Sequence, residues 1–341
     1  MIRTGVMGFG LGGSAFHAPL VDAVPELALS AIATSRAEAV RARYPHAAVV
    51  ADAQALLDDP GIELVVVTTP NDTHFALAKA ALAAGKHVVV DKPFANSAAE
   101  AEELVALAAA RGRVLSVFHN RRWDGDFLTV KRLRDAGRLG EVKLYEAQWD
   151  RFRPGIRQSW HEDAGPGGGV LIDLGPHLID QALVLFGVPE AVTGDVVAQR
   201  DGSLVDDYFE LTLHYGRVRA VLSSSSIVAA PRPRFAVHGT AASFVKHGLD
   251  PQEGHLRAGG RADDPGYGIE DAAMHGELIA GDGARETVAS ERGDYRRFYA
   301  AVAHAIADGG SPPVSPGDAV AGLRIIELAR QSAQEQRTLP Y

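Results

Sequence analysis

Ile2-Arg3-Thr4-Gly5-Val6-Met7 runs directly into Gly8-Phe9-Gly10-Leu11-Gly12-Gly13, and this opening stretch decides the fold. The first six residues read as a short buried strand. The next six place glycine at the first, third and sixth positions, ahead of a helix expected near Ser14–Ala23. Glycine at those places permits a tight turn, close approach of backbone to a pyrophosphate, and close packing of helix on strand. The amides at the start of the following helix then face the phosphates. Such a pattern gains meaning from its context, and here it lies between strand and helix at the start of a β-α-β unit. The alternative is a glycine turn with a structural role only.

Moving outward, strand-like and helix-like segments alternate. Leu27–Ala33 reads as a strand and Arg36–Tyr44 as a helix, with Ser35 and Glu38 at capping-box spacing. The apolar run Leu64–Thr68 suits a strand covered on both faces. Asn71 is the expected N-cap of a helix over Asp72–Ala84, which Gly85 closes. His87–Val90 is the next strand. Ser97 and Glu100 form a second capping-box pair before an alanine-rich helix to Ala110, and Val114–Phe118 completes the series. Alternation at this pitch predicts a doubly wound parallel sheet.

After a helix near Phe127–Ala136 the period changes to two. Val142–Asp150, Asp207–Tyr215, Arg217–Ser224 and Phe235–Gly239 predict a largely antiparallel sheet with helices on one side. Gly248–Gly268 reads as a long loop, and helices over Tyr295–Ala307 and Asp318–Glu335 finish the chain. The expected class is therefore α/β. A doubly wound Rossmann domain over residues 1–120 is followed by an α+β domain with a large, mostly antiparallel open sheet over 121–341.

Composition narrows the function. With 341 residues and 46% hydrophobic content, two domains with real cores are the natural expectation. A net charge of -9 argues against nucleic acid and anionic membranes as partners. No segment approaches the roughly 20 apolar residues of a membrane span, and the N-terminus carries no signal-like run. A cytoplasmic location is expected. Cysteine is absent, which excludes disulfides, thiolate zinc sites and thiol catalysis.

At the end of the second strand, where an NAD site usually carries an acid for the ribose 2′-OH, the sequence reads Thr34-Ser35-Arg36. A hydroxyl and a guanidinium suit a 2′-phosphate, so NADP is expected, with NAD as the alternative. Ser35 as a plain cap and Arg36 as a solvated helix residue remain the structural alternative. Thr69, Pro70, Asn71 and His74 lie at another strand's C-terminal end, where open α/β sheets bind ligands. His74 serves equally as a packed or capping histidine. Asp91-Lys92-Pro93 follows the next strand. Lys92 there could orient a substrate hydroxyl or tune a proton acceptor, against the ordinary reading of a solvated lysine.

The strongest feature of the second half is Gly167-Gly168-Gly169-Val170-Leu171-Ile172-Asp173-Leu174-Gly175-Pro176-His177. Three glycines let backbone approach a flat ligand. On a helix, Asp173 and His177 share one face, with Asp180 near it, and a carboxylate–imidazole pair is a natural general base. A helix-cap role for Asp173 and a metal-ligating pair are the alternatives; no metal is expected. Pro176 interrupts a regular helix. Asn120, in Asn120-Arg121-Arg122-Trp123-Asp124, is placed with Asp91 and Lys92 on the dinucleotide side. Gln158 and Trp160, in Arg157-Gln158-Ser159-Trp160-His161, are placed on the substrate side, each with a surface or packing role as its alternative.

With these residues in view, the chain resembles the glucose–fructose oxidoreductase / inositol dehydrogenase / rhizopine-catabolism protein family. GFGLGG, TPNDTH, DKP and GGG…D…H occur in the family's order and spacing over almost the whole chain. The resemblance implies that Lys92 is the lysine of the family's E-K-P signature, and Asp173 and His177 the other members of its catalytic triad. Asp91 stands where the family usually has Glu, a carboxylate one methylene shorter. SVFHNRRWDGDFLTVKRL and DLGPHLIDQAL resemble a subgroup containing NADP-dependent scyllo-inositol dehydrogenases. The activity implied is hydride transfer between nicotinamide and a secondary hydroxyl of a cyclic polyol or sugar. The family's open sheet commonly forms subunit contacts, so a homodimer or homotetramer is expected. Two alternatives come with the family: a non-catalytic dinucleotide sensor, and a reductase of another sugar such as an anhydrosugar. Retention of Lys92, Asp173 and His177 together argues against the sensor.

Overall fold

The computed structural model describes residues 1–156, 162–165, 167–230 and 232–341. The chain forms two compact units: Met1–Trp123 with Gln252–Tyr267 and Asp294–Val320, and Asp124–Pro251 with Gly268–Gly293 and Ala321–Tyr341. Two segments from later in the chain thus group with the first unit beside residues 1–123.

In the first unit, β1 (Ile2–Met7), β2 (Leu27–Ala33), β3 (Ala48–Val50), β4 (Leu64–Val67), β5 (His87–Val90) and β6 (Leu115–Val117) form one sheet in the order β3-β2-β1-β4-β5-β6. All its pairs are parallel. All four residues of β4 are fully buried, as an apolar run covered on both faces requires. Strand order reverses between β1 and β4, which opens a crevice at their C-terminal ends. The covering helices are α1 (Ala18–Asp22), α2 (Ala37–Arg43), α3 (Ala53–Asp58), α4 (His74–Ala83) and α5 (Ala98–Arg111). In α5 the Ser97 hydroxyl accepts the Glu100 amide at 3.2 Å, and Gly112 closes the helix at φ +60.

Three local expectations need correction. The first helix opens as a π-helical turn over Gly12–His17, with Ala18 N–H bonded to the Gly13 carbonyl. The shift in register comes just before Pro19, which has no N–H to give. Ser35 is not a cap: α2 starts behind Arg36, whose amide donates to Thr34 Oγ1 at 3.1 Å, and Ser35 is exposed. Asn71 is not the N-cap of α4 either. It begins a 3-10 turn, Asn71–Thr73, and is buried there.

The second unit contains α6 (Gly125–Asp135), β7 (Val142–Gln148), α7 (Val170–Phe186), β8 (Ala191–Val197), β9 (Tyr208–Tyr215), β10 (Val218–Ser225), β11 (Phe235–Gly239) and β12 (Ala242–Lys246). After α8 (Gln252–Arg257), which belongs to the first unit, come β13 (Gly276–Ala280) and β14 (Arg285–Val288). Helices α9 (Arg296–Asp308) and α10 (Pro316–Glu335) and the short β15 (Leu339–Pro340) end the chain. The nine-stranded sheet runs β14-β13-β12-β11-β7-β10-β9-β8-β15, antiparallel except for β10 against β7. Its core joins the inward residues of the strands, such as Tyr145, Phe209, Leu211 and Phe235, to Phe127 of α6, Leu178 of α7 and Ile325 of α10.

The segment read as a loop over Gly248–Gly268 contains α8. Strands β8, β12, β13 and β14 gave no clear period-two signal. In β8 the obstacle is Gly194, which weakens any strand reading; a Cβ there would lie 2.4 Å from the Ala329 carbonyl of α10. Helix packing sets that residue.

Candidate active site

The first unit gathers the glycine turn, the Thr69–His74 segment and Asp91–Pro93 at the C-terminal edge of its sheet. Gly8 has φ +101, and a Cβ on it would stand 2.8 Å from the Thr68 carbonyl. A Cβ on Gly13 would be 2.3 Å from the Gly8 carbonyl, and one on Gly12 would be 2.5 Å from Thr68 Oγ1 and 2.7 Å from Asp91 Oδ2. These three are glycines because protein atoms leave no room. Gly10 differs: nothing lies within 4 Å of its Cβ position, so the protein itself does not demand glycine there. Open space at that one place fits the approach of a pyrophosphate. Three buried polar atoms at the same edge, Thr68 Oγ1, Asn71 Nδ2 and Asn96 Oδ1, have no hydrogen-bond partner, and a polar ligand would satisfy them. The residues present thus fit a dinucleotide.

Phe9 is buried edge-on to Tyr44, and Leu11 is 58% exposed beyond the turn. Arg36 reaches back to donate from Nη1 to the Phe9 carbonyl at 3.3 Å. A guanidinium therefore stands beside the glycine turn, where β2 ends without a carboxylate. Arg43 donates to the Ser14 carbonyl at 3.1 Å and adds a second cation to this side.

His74 is buried, with Nδ1 2.8 Å from the Pro93 carbonyl and Nε2 2.9 Å from the Thr69 carbonyl. It ties the loop after β4 to the loop after β5. Thr69 and Thr73 share a hydroxyl contact of 2.6 Å, and Thr73 also donates to Pro70 O at 2.6 Å. Asn120 is buried in the turn after β6.

Asp91 accepts the Lys92 amide on Oδ1 at 2.8 Å, while Oδ2 faces His17 Nε2 at 3.3 Å. Burial pushes its carboxyl pKa up, but His17, His74 and Lys92 outweigh burial and hold it at about 2. Asp91 is an anion fixed between the glycine turn and the amide of Lys92. His17 is fully buried and its Nδ1 lies 2.6 Å from the Tyr299 hydroxyl. Neither His17 nor Tyr299 was singled out from the sequence. His17 could have been, since it falls one turn beyond the glycines; Tyr299 had no such signal.

In the second unit α7 runs unbroken through Pro176. Proline inside a helix costs roughly 3 kcal/mol. Burying Leu174, Leu178, Ile179 and Leu183 at about 1.5–3 kcal/mol each outweighs that loss. Asp173 and His177 accordingly lie one turn apart. Asp173 accepts from Arg151 Nη1 at 3.1 Å. His177 is buried and its ring lies 5.7 Å from that of Trp149 at an interplanar angle of 30°. Arg234 packs over the same Trp149 and donates to Gln181 Oε1 at 2.8 Å. Trp149 thus neighbours both the imidazole and the Arg234 guanidinium.

The glycines before α7 also have a structural cause. Asp206 caps the helix from outside, its carbonyl taking the Val170 amide at 2.8 Å and Oδ2 the Leu171 amide at 2.7 Å. Gly169 has φ +98 and a Cβ there would be 2.3 Å from Asp206 Oδ1. Gln158 and Trp160 lie outside the described residues. Buried Arg200 donates to the carbonyls of Arg153 and Gly155, which precede that segment, and pairs with Glu162, which follows it, and with Asp207. Among the described residues, no group of three or more His, Asp or Glu side chains is arranged to hold a metal ion. No helix among them is long and apolar enough to cross a membrane.

Comparison with known proteins bears on both units. Residues 2–119 match the "Oxidoreductase family, NAD-binding Rossmann fold" and residues 131–341 the "Oxidoreductase family, C-terminal alpha/beta domain" of the Gfo/Idh/MocA group. The chain is 44% identical over 341 residues to scyllo-inositol 2-dehydrogenase (NADP(+)) of Bacillus subtilis, covering 99% of this chain and 95% of that one. It is 46% identical over 340 residues to an uncharacterized oxidoreductase of Escherichia coli, covering 99% and 98%. A solved chain from Bacillus subtilis superposes with a TM-score of 0.97 at 43% identity, over 100% of this chain and 98% of that one.

Proposed function

Because the chain belongs to the glucose–fructose oxidoreductase / inositol dehydrogenase / rhizopine-catabolism family of oxidoreductases, we propose that it is an NADP-preferring dehydrogenase or reductase of a cyclic polyol or sugar, with a scyllo-inositol-like substrate favoured. What carries the reading is the joint retention of Lys92 at the end of β5 and of Asp173 and His177 on one turn of α7, in a chain alike along 99% of its length to a scyllo-inositol 2-dehydrogenase.

When bound, the dinucleotide supplies a nicotinamide that takes up or gives a hydride. The chain's own residues handle the oxygen and its proton. In the direction of oxidation His177 accepts the hydroxyl proton, and in reduction it returns that proton to the carbonyl oxygen. Asp173 holds the imidazole or a neighbouring substrate hydroxyl in place. Lys92 donates a hydrogen bond to the reacting oxygen and favours its developing negative charge. Preference for NADP rests on Arg36, held beside the glycine turn through Phe9, and on the lack of a carboxylate at Thr34-Ser35-Arg36. Lys92 stays where Asp91 sets its backbone.

The test is a screen of cyclic polyols and sugars with NADP and NAD at alkaline pH, read as formation of reduced nicotinamide. Oxidation of an inositol-like ring with NADP is the expected result. Tight NADP binding with no substrate oxidised, and no sugar carbonyl reduced in the reverse assay, would favour a dinucleotide sensor instead.

A further inference from the structure

The partly exposed Asp91 carboxylate is the start of a chain into the core that the proposed chemistry does not use. Oδ2 faces His17 Nε2 at 3.3 Å, and His17 Nδ1 lies 2.6 Å from the Tyr299 hydroxyl. His17 and Tyr299 are both fully buried. The imidazole is packed on Phe118 with ring centroids 4.3 Å apart, and Phe118 in turn packs on Phe298 and Tyr299. All of these residues belong to the first unit.

We propose that His17 and Tyr299 are positioning residues: Tyr299 is hydrogen-bonded to His17, whose Nε2 has no hydrogen-bond partner and stands at ion-pair distance from Asp91, and together they fix the strand end from which Lys92 projects. The inference rests on the reading of Lys92 as the residue that meets the reacting oxygen. Its chemistry follows from the proton inventory. A phenol buried this deeply keeps its proton, because burial first and the Asp91 charge second push its pKa well up. A carboxylate facing Nε2 favours a proton there; a neutral ring then accepts the Tyr299 hydroxyl on Nδ1, whereas an imidazolium donates to it. The other tautomer would set the Nε2 lone pair against a carboxylate. Tyr299 thus holds the ring from its far side, in the orientation that sets Nε2 against Asp91. The same carboxylate takes the Lys92 amide on its other oxygen and abuts Gly12. Glycine turn and lysine are registered against one anion.

The Asp91 carboxylate is met by an imidazole that comes from the π-helical turn Gly12–His17.

Four variants test the proposal in the full-length protein: Tyr299→Phe, His17→Leu, His17→Gln and, as reference, Lys92→Ala. Glutamine keeps an N–H near the position of Nε2, whereas leucine keeps only bulk. His17→Leu should lose about 10- to 100-fold in kcat, the range seen when groups that orient a functional residue are removed. His17→Gln should recover most of that loss, and Tyr299→Phe should fall between His17→Gln and His17→Leu. Melting temperature and NADP affinity, measured on each variant, should not rank them in that order. Histidine-selective 15N spectra of the cofactor-free protein give a readout independent of turnover. In wild type the His17 signal should show the proton on Nε2, and in Tyr299→Phe it should shift toward tautomer exchange. Equal losses in His17→Leu and His17→Gln that track melting temperature alone would make the role merely structural and overturn the proposal. So would an Nε2 without its proton in wild type. A dead Lys92→Ala beside a fully active His17→Leu removes the positioning role only, whereas an active Lys92→Ala removes the assignment of Lys92 itself.

Discussion

Arg36→Ala is the most direct probe of cofactor choice. The side chain is exposed and donates to the Phe9 carbonyl at 3.3 Å, so removing it should leave the fold intact. A guanidinium on a 2′-phosphate is a charge-assisted contact, and such hydrogen bonds contribute roughly 1.5–3 kcal/mol. The variant should therefore bind NADP about 10- to 150-fold more weakly. NAD lacks the phosphate and should register only the lost Phe9 contact. An exposed bond of that length contributes under about 1 kcal/mol, or roughly fivefold at most. Arg36→Lys should retain part of the NADP affinity, because the charge persists without the fork geometry. Titration of cofactor fluorescence, at low and at moderate salt, measures all of this. Wild-type NADP affinity should fall more steeply with ionic strength than that of the alanine variant. Equal losses for NADP and NAD, or no loss for either, would refute the 2′-phosphate assignment.

Lys92→Ala and His177→Ala should each keep NADP binding and lose about 100- to 10,000-fold in turnover, with Asp173→Asn losing less than His177→Ala; steady-state kinetics beside cofactor titration decide this. Asp91 should shape acid stability. Its folded-state pKa of about 2 lies below the ordinary 3.8, so the ionised group stabilises the fold above about pH 4, and this contribution fades as pH falls toward 2. At most about 2 kcal/mol is involved, since the side chain is partly exposed. Urea midpoints of wild type and Asp91→Asn should accordingly differ most at pH 6, draw closer near pH 3 and converge only below about pH 2, and a gap unchanged between pH 6 and pH 2 would contradict the charge argument. The sheet of the second unit leaves Leu144, Val221, Val245 and Ile279 only partly buried. A homodimer or homotetramer is expected from them. Light scattering at micromolar concentration should exceed the 36.1 kDa of one chain, and a monomer would count against it.

What local sequence determined by itself is the alternation of the first unit and the placing of the glycine turn, Lys92 and the Asp173–His177 pair. Those features are encoded within a few residues of one another. A parallel strand buried on both faces must be continuously apolar, as β4 is and as β5 is beyond His87, and a turn under a pyrophosphate must be glycine-rich. Tertiary structure decided what each of these residues touches. It showed Gly12 crowded and Gly10 open, a distinction invisible in GFGLGG. It replaced Ser35 by the Thr34 hydroxyl at the start of α2, and gave the cap of α7 to Asp206, which is 35 positions away from the amide it meets. Strand β8 needed Gly194 because a distant helix lies against it. His17 and Tyr299, 282 positions apart, meet only because β1, β5 and α9 are packed into one unit. Sequence periodicity reports which face of an element is buried. It carries no record of which buried polar atoms will find one another, since that is settled by packing between segments far apart in the chain.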